Sequence, residues 1–74
     1  MHVHVTIIGL DRLGASIGLA LKRYQARPKA EHSFTIIGSD PKAQAMKDAQ
    51  KMGAVDNFHR AVLKALGNAD LVIV

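Results

Sequence analysis

The chain has 74 residues, no cysteine, and ten Lys and Arg against six Asp and Glu, for a formal charge of +4. A length of this order allows one small domain, and the lack of cysteine excludes disulfides and cysteine-ligated zinc. The basic residues are spread from Arg12 to Lys64 without clustering, the pattern of solvated helix faces, so no nucleic-acid partner is expected.

No uncharged run is long enough to cross a bilayer. The opening Met1-His2-Val3-His4 lacks the basic start and apolar stretch of a secretory signal. A cytoplasmic location and no membrane partner are the expectations.

Residues 3–8, Val-His-Val-Thr-Ile-Ile, predict a first strand, and a run so rich in β-branched and apolar residues suggests burial on both faces of a parallel sheet. His2 and His4 fall on one side of it, a spacing that can hold a metal, but with no third ligand evident they read as frayed, solvent-facing side chains. Gly9 ends the strand. Helical spacing follows over about 13–25, with Leu13, Ile17, Leu21 and Tyr24 on one stripe. Gly18 interrupts that helix at a propensity cost of up to about 1 kcal/mol, which close packing against a neighbour would explain. Polar residues 27–33 make a surface loop.

Phe34 to Gly38 predicts the second strand, followed by Ser39-Asp40. Pro41 starts a second helix with Asp40 as its N-cap, an apolar stripe of Ala45, Met46, Ala49 and Met52, and Gly53 as the stop. Ala54-Val55-Asp56 is a short third strand. A weak helix over about 58–66 turns Val62, Leu63 and Leu66 inward, and Leu71–Val74 is the fourth strand. His59, Asp56 and Asn57 read as a turn and helix start.

The alternation of strand and helix predicts an α/β fold, a partial Rossmann (doubly wound) parallel sheet in the order 3-2-1-4 with right-handed crossovers. The chain stops on an apolar strand with no turn signal after it, so residues 1–74 are expected to be the N-terminal part of a longer dinucleotide-binding domain. An apolar edge at 71–74 invites pairing with other chains, hence an expected homo-oligomer.

Strand, glycine turn and helix over 3–21 form the opening of a dinucleotide-binding unit, in which backbone amides at a helix N-terminus receive a diphosphate. Of its three glycine positions, Gly9 permits the tight turn and Gly14 lets the helix approach the strand. The middle position holds Asp11, which adds a Cβ and a carboxylate. A carboxylate roughly 4 Å from a phosphate costs about 4 kcal/mol at an effective dielectric of 20, nearly three decades of affinity. Arg12 could offset this by pairing with Asp11 or by meeting the phosphate, or Asp11 could turn outward; the residues alone leave these open. Asp40, at the end of the second strand, fits the acidic residue that receives the adenosine ribose hydroxyls, with the 26–33 loop lengthening its spacing from the glycines. An aspartate there favours NAD over NADP, a preference that Lys42 weakens.

Ile8-Gly9-Leu10 and Leu13-Gly14-Ala15-Ser16-Ile17-Gly18-Leu19-Ala20-Leu21 resemble the amino-terminal segment of prephenate and arogenate dehydrogenases. Gly38-Ser39-Asp40, Met52-Gly53-Ala54-Val55-Asp56 and Ala69-Asp70-Leu71-Val72-Ile73-Val74 are similar to that family in order and spacing. Ser16 is the most discriminating match, its first-turn place suiting phosphate contact or capping, and Asp11 is the mismatch. The resemblance implies NAD(P)-dependent oxidative decarboxylation of a small molecule, prephenate or arogenate, on the way to tyrosine. It implies that Gly9, Leu10, Arg12, Leu13 and Gly14 cradle the pyrophosphate and that Asp40 holds the ribose. The family's catalytic histidine lies downstream of the matched region, so no histidine here takes that role and these residues alone are not expected to catalyse. Two other readings stand beside it: the front of another small-substrate dehydrogenase, or a self-associating α/β module that has lost its cofactor.

Overall fold

A computed structural model describes all residues 1–74. In chain order the elements are β1 (His2–Ile8), α1 (Arg12–Gln25), β2 (Ser33–Ser39), α2 (Ala43–Lys51), β3 (Asn57–Phe58), α3 (Val62–Ala65) and β4 (Leu71–Ile73). The four strands form one all-parallel sheet in the order β3-β2-β1-β4, the expected α/β architecture, compatible with a partial Rossmann-like fold. β1 lies beside β2 from His2 opposite Ser33 to Ile8 opposite Ser39, and beside β4 from Val5 opposite Leu71.

β1 meets the expected burial on both faces only over Val5, Thr6 and Ile7, and towards its start the second face is polar and exposed. Val5 and Ile7 are buried on the side that carries α1 and α2, whereas His4 on the other side is exposed. Side chains alternate along a strand, so His2, His4 and Thr6 form a polar row. The core sits between the apolar row and the two long helices, where Val5, Ile7 and Ile36 meet Met46, Ala49, Ala54 and Val55.

α1 is also rotated from the predicted stripe. Its buried residues are Gly14 and Gly18, while Leu13 is 70% exposed. Glycines four apart lie on one face, and each meets backbone. A Cβ on Gly14 would sit 2.0 Å from the Gly9 carbonyl oxygen, and one on Gly18 would sit 2.2 Å from that of Ala54. Helix and sheet therefore touch along the glycine line, with Ile17 and Leu21 beside it and Leu13 turned out. The close packing expected at Gly18 is present.

The predicted third strand is displaced. Gly53, at φ +85°, turns Ala54 and Val55 into the core beneath α1, where they are buried. Pairing with β2 starts only at Asn57. Asp56 bridges the gap: its N–H donates to Ile36 O (2.8 Å), its Oδ2 accepts the Ile36 N–H (2.7 Å), and Lys22 Nζ reaches both its oxygens at 2.7 Å. Met52, the C-cap of α2, is half exposed. α3 is one turn rather than a helix over 58–66, because its N-cap, Ala61, has no side chain to hold the first amides. It buries Ala65 and leaves Val62 and Leu63 exposed.

Only 14 of the 74 residues are buried, so one packing defect removes a large share of the stability. Gly18→Ala raises helix propensity yet inserts a methyl group into the Ala54 carbonyl. We expect a net loss of about 1–3 kcal/mol, read as a fall of roughly 4–8 °C in Tm per kcal/mol. A rise in Tm would mean that α1 does not approach Ala54 so closely.

Candidate functional site

The C-terminal ends of β1 and β2 and the N-terminus of α1 converge on one turn. Gly9 leaves β1 at φ +93°, a conformation that glycine adopts without strain, and its N–H donates to Ser39 O at 2.8 Å. Leu10 then packs into the core, and its N–H donates to Asp40 Oδ2 at 2.8 Å. The other oxygen of Asp40 accepts the Lys42 N–H at 2.8 Å. Asp40 thus ties the glycine turn to the loop after β2. It is not the N-cap of α2, whose N-cap is Lys42 without a side-chain bond; its backbone partners lie in the two loops.

Asp11 caps α1. Its backbone is extended (φ −72°, ψ −169°), its carbonyl accepts the Ala15 N–H at 2.9 Å, and its Oδ1 accepts the Gly14 N–H at 3.1 Å. The carboxylate therefore turns over the helix N-terminus, the region where positive potential and unpaired amides gather. Arg12 does not pair with it, since the one ion pair of the chain is Lys22–Asp56. The amides of Arg12 and Leu13 have no acceptor within the chain. Ser16 contributes nothing to this end: its Oγ donates back to Arg12 O at 2.7 Å, a bond internal to the helix.

Gly9, Leu10, Gly14 and Asp40 are thus drawn together by backbone contacts and hydrogen bonds. Arg12 and Leu13 lie on the first turn of α1 with exposed side chains and offer their amides. An apolar cleft of about 120 Å³ adjoins the turn between Leu13, Ile17, Ile73 and Val74.

No protein-family model and no curated protein matches this chain. For an anion the site offers two unpaired amides and a neighbouring guanidinium, with a third amide already held by Asp11. For a diol it offers Asp40, an acceptor with four lone-pair directions, two of them taken by backbone. The turn thus offers free acceptor capacity at Asp40 and, at the helix N-terminus, two free amides beside a third occupied from within.

Sequence reasoning set aside two groups. Asp56, read as part of a turn and helix start, instead bonds the Ile36 N–H and Lys22 through its carboxylate. His4, His59 and Lys64 line a second cavity of about 260 Å³ on the opposite face of the sheet. The period-two row His2, His4, Thr6 was the signal for that face, masked by the apolar residues between. His2 is not frayed: its Nδ1 and Nε2 lie 2.7 Å from the hydroxyls of Ser33 and Thr35. No group of three or more His, Cys, Asp or Glu side chains is placed to hold a metal. No helix is long and apolar enough to cross a membrane.

The Leu10 N–H, and after it the Lys42 N–H, hold the Asp40 carboxyl below its usual range. A depressed folded pKa means that the ionised form stabilises the fold. That contribution is complete above the unfolded value of about 3.9 and drains away as pH falls through the lower folded value. Asp40→Asn should therefore be less stable than the parent near neutral pH, with the gap closing in the acid range. Urea unfolding at several pH values checks this; a gap independent of pH would contradict it.

Proposed function

We propose that the β1–α1 turn and Asp40 bind a nicotinamide dinucleotide, NAD in preference to NADP, as the cofactor-holding portion of a dehydrogenase. The observation that carries this reading is the Leu10 N–H to Asp40 Oδ2 bond. It joins the glycine turn to an acidic residue at the end of the neighbouring strand, which are the two parts a dinucleotide's diphosphate and adenosine ribose require. The parallel sheet in 3-2-1-4 order supports it, because ligands of such sheets lie across the carboxyl ends of the strands.

The resemblance to prephenate and arogenate dehydrogenases narrows the proposal to oxidative decarboxylation of a small cyclic acid on the way to tyrosine. Bound NAD would supply the hydride acceptor. The residues described here would act before that step. Arg12 and Leu13 would donate amides to the diphosphate, the Arg12 guanidinium would balance its charge, and Asp40 would accept the ribose hydroxyls. No side chain of this chain is assigned to the chemical step.

Asp11 sets the strength of binding. Leaving its carboxylate on the Gly14 N–H beside a phosphate costs about 4 kcal/mol. Swinging it into solvent forfeits an N-cap worth about 1 kcal/mol and leaves a residual repulsion of about 0.5 kcal/mol across water. The swing is cheaper, so the expected penalty is about 1.5 kcal/mol, or about tenfold in Kd. Asp11→Gly should tighten NADH binding by about tenfold or more, read as nicotinamide fluorescence during titration, while stability falls by only a few tenths of a kcal/mol. No fluorescence change at millimolar NADH in either form would overturn the cofactor reading.

The Asp11–Gly14 bond also favours a second reading, a module that binds no dinucleotide and assembles through its sheet edge. β4 is an edge strand on which Leu71 and Val72 are half exposed, the kind of edge that recruits other strands. This reading predicts a dimer or larger species by sedimentation at micromolar concentration. A monomer throughout that range would contradict it.

A further inference from the structure

The sheet face turned away from α1 and α2 differs in chemistry from the packed one. β1 and β2 lay His2 beside Ser33, His4 beside Thr35 and Thr6 beside Ile37, and the single turn of α3 covers only part of this surface. Thr6 Oγ1 donates to Ala65 O at 2.6 Å, tying α3 to the strand. Beside that tie lies the cavity of about 260 Å³, with His4, Thr35, His59, Lys64 and Asn68 on its walls. The volume falls just below that of pockets for drug-sized ligands, so its occupant is small.

Every titratable side chain on those walls is basic. They come from three directions: His4 from β1, His59 from the segment after β3, and Lys64 from α3. His59 hangs from the end of β2, its N–H donating to Gly38 O at 3.0 Å. The His2 ring stands edge-on to His4 at 5.0 Å with both its nitrogens engaged by hydroxyls, which props the His4 ring. The carboxylate closest by bonding is Asp70, whose Oδ2 accepts the His4 backbone N–H at 2.9 Å. Arg60 follows His59 and is exposed.

We propose that this cavity binds the tetrahedral oxyanion of a small phosphorylated ligand. Donors on three sides suit a tetrahedral group better than a planar carboxylate, which accepts in its plane. Two imidazoles supply N–H donors and the Lys64 ammonium supplies compensating charge. His2, Arg60 and Asp70 are the other charged or titratable groups around them. The site is on the opposite face from α1 and does not depend on the dinucleotide reading.

Sodium sulfate is a suitable probe, because it is a tetrahedral dianion whose charge does not change near neutral pH. Imidazole NMR signals of the whole chain would be followed during sulfate addition against sodium chloride at matched ionic strength. The His4 and His59 signals should shift saturably. His32, in the 27–33 loop, reports ionic strength alone. His59→Gln and Lys64→Gln should each weaken saturation by roughly fivefold while leaving Tm and the circular dichroism spectrum unchanged. The proposal is overturned if His4 and His59 merely follow His32, if neither variant alters saturation, or if acetate saturates the site as well as sulfate.

Discussion

A Cβ atom on Gly14 would lie 2.0 Å from the Gly9 carbonyl oxygen, so the first turn of α1 can lie against the end of β1 only with a glycine at position 14. That approach fixes the direction of the helix N-terminus. It brings the amides of Arg12, Leu13 and Gly14 to the carboxyl end of the sheet, beside the loop that carries Asp40. The two carboxylates of this region then divide the backbone donors between them. Asp40 takes Leu10 and Lys42, and Asp11 takes Gly14. Each bond stabilises the turn, and the second also lies where a phosphate would be received. One interaction thus serves the fold and weakens the proposed function, and its modest worth as a cap is what keeps the two compatible.

The same sheet presents two unlike surfaces. One is apolar and closed by helices whose contact runs through Gly14 and Gly18. The other carries imidazoles and hydroxyls under a single helical turn. An edge-on histidine pair and hydroxyl-bonded ring nitrogens give that second surface a defined arrangement, and a face built this way does not ask for an apolar helix to cover it. The polarity of this face is why the two proposed sites differ so much in character. One rests on backbone amides and a loop carboxylate at the strand ends, the other on side chains rising from the strands themselves.

Strand order, the turn at Gly9 and the close approach at Gly18 were legible in the sequence because each is a local rule: β-branched runs, a glycine after a strand, an otherwise costly glycine inside a helix. Leu13 misled because helical periodicity finds an apolar stripe without knowing that two glycines define the line of contact. The third strand was misplaced because Ala54 and Val55 are apolar for the sake of α1 above them, and Asp56 uses its side chain where a ladder would use backbone. Ser16, a first-turn residue in the resemblance, turns its hydroxyl to its own helix. Asp11 was the least legible residue. A carboxylate in that position has an internal partner or a repelled ligand depending on a rotation about its side-chain bonds, which no pattern of neighbours encodes.

Amide hydrogen exchange at the first turn of α1 tests the central claim most directly, because it reads the three donors one by one. In the free chain Gly14 should be protected while Arg12 and Leu13 exchange rapidly, and Asp11→Gly should release Gly14. Millimolar NADH should then slow Arg12 and Leu13 in both forms, and Gly14 as well in Asp11→Gly. Equal exchange at all three positions in the free parent chain, or no response of any of them to NADH in the variant, would contradict the account.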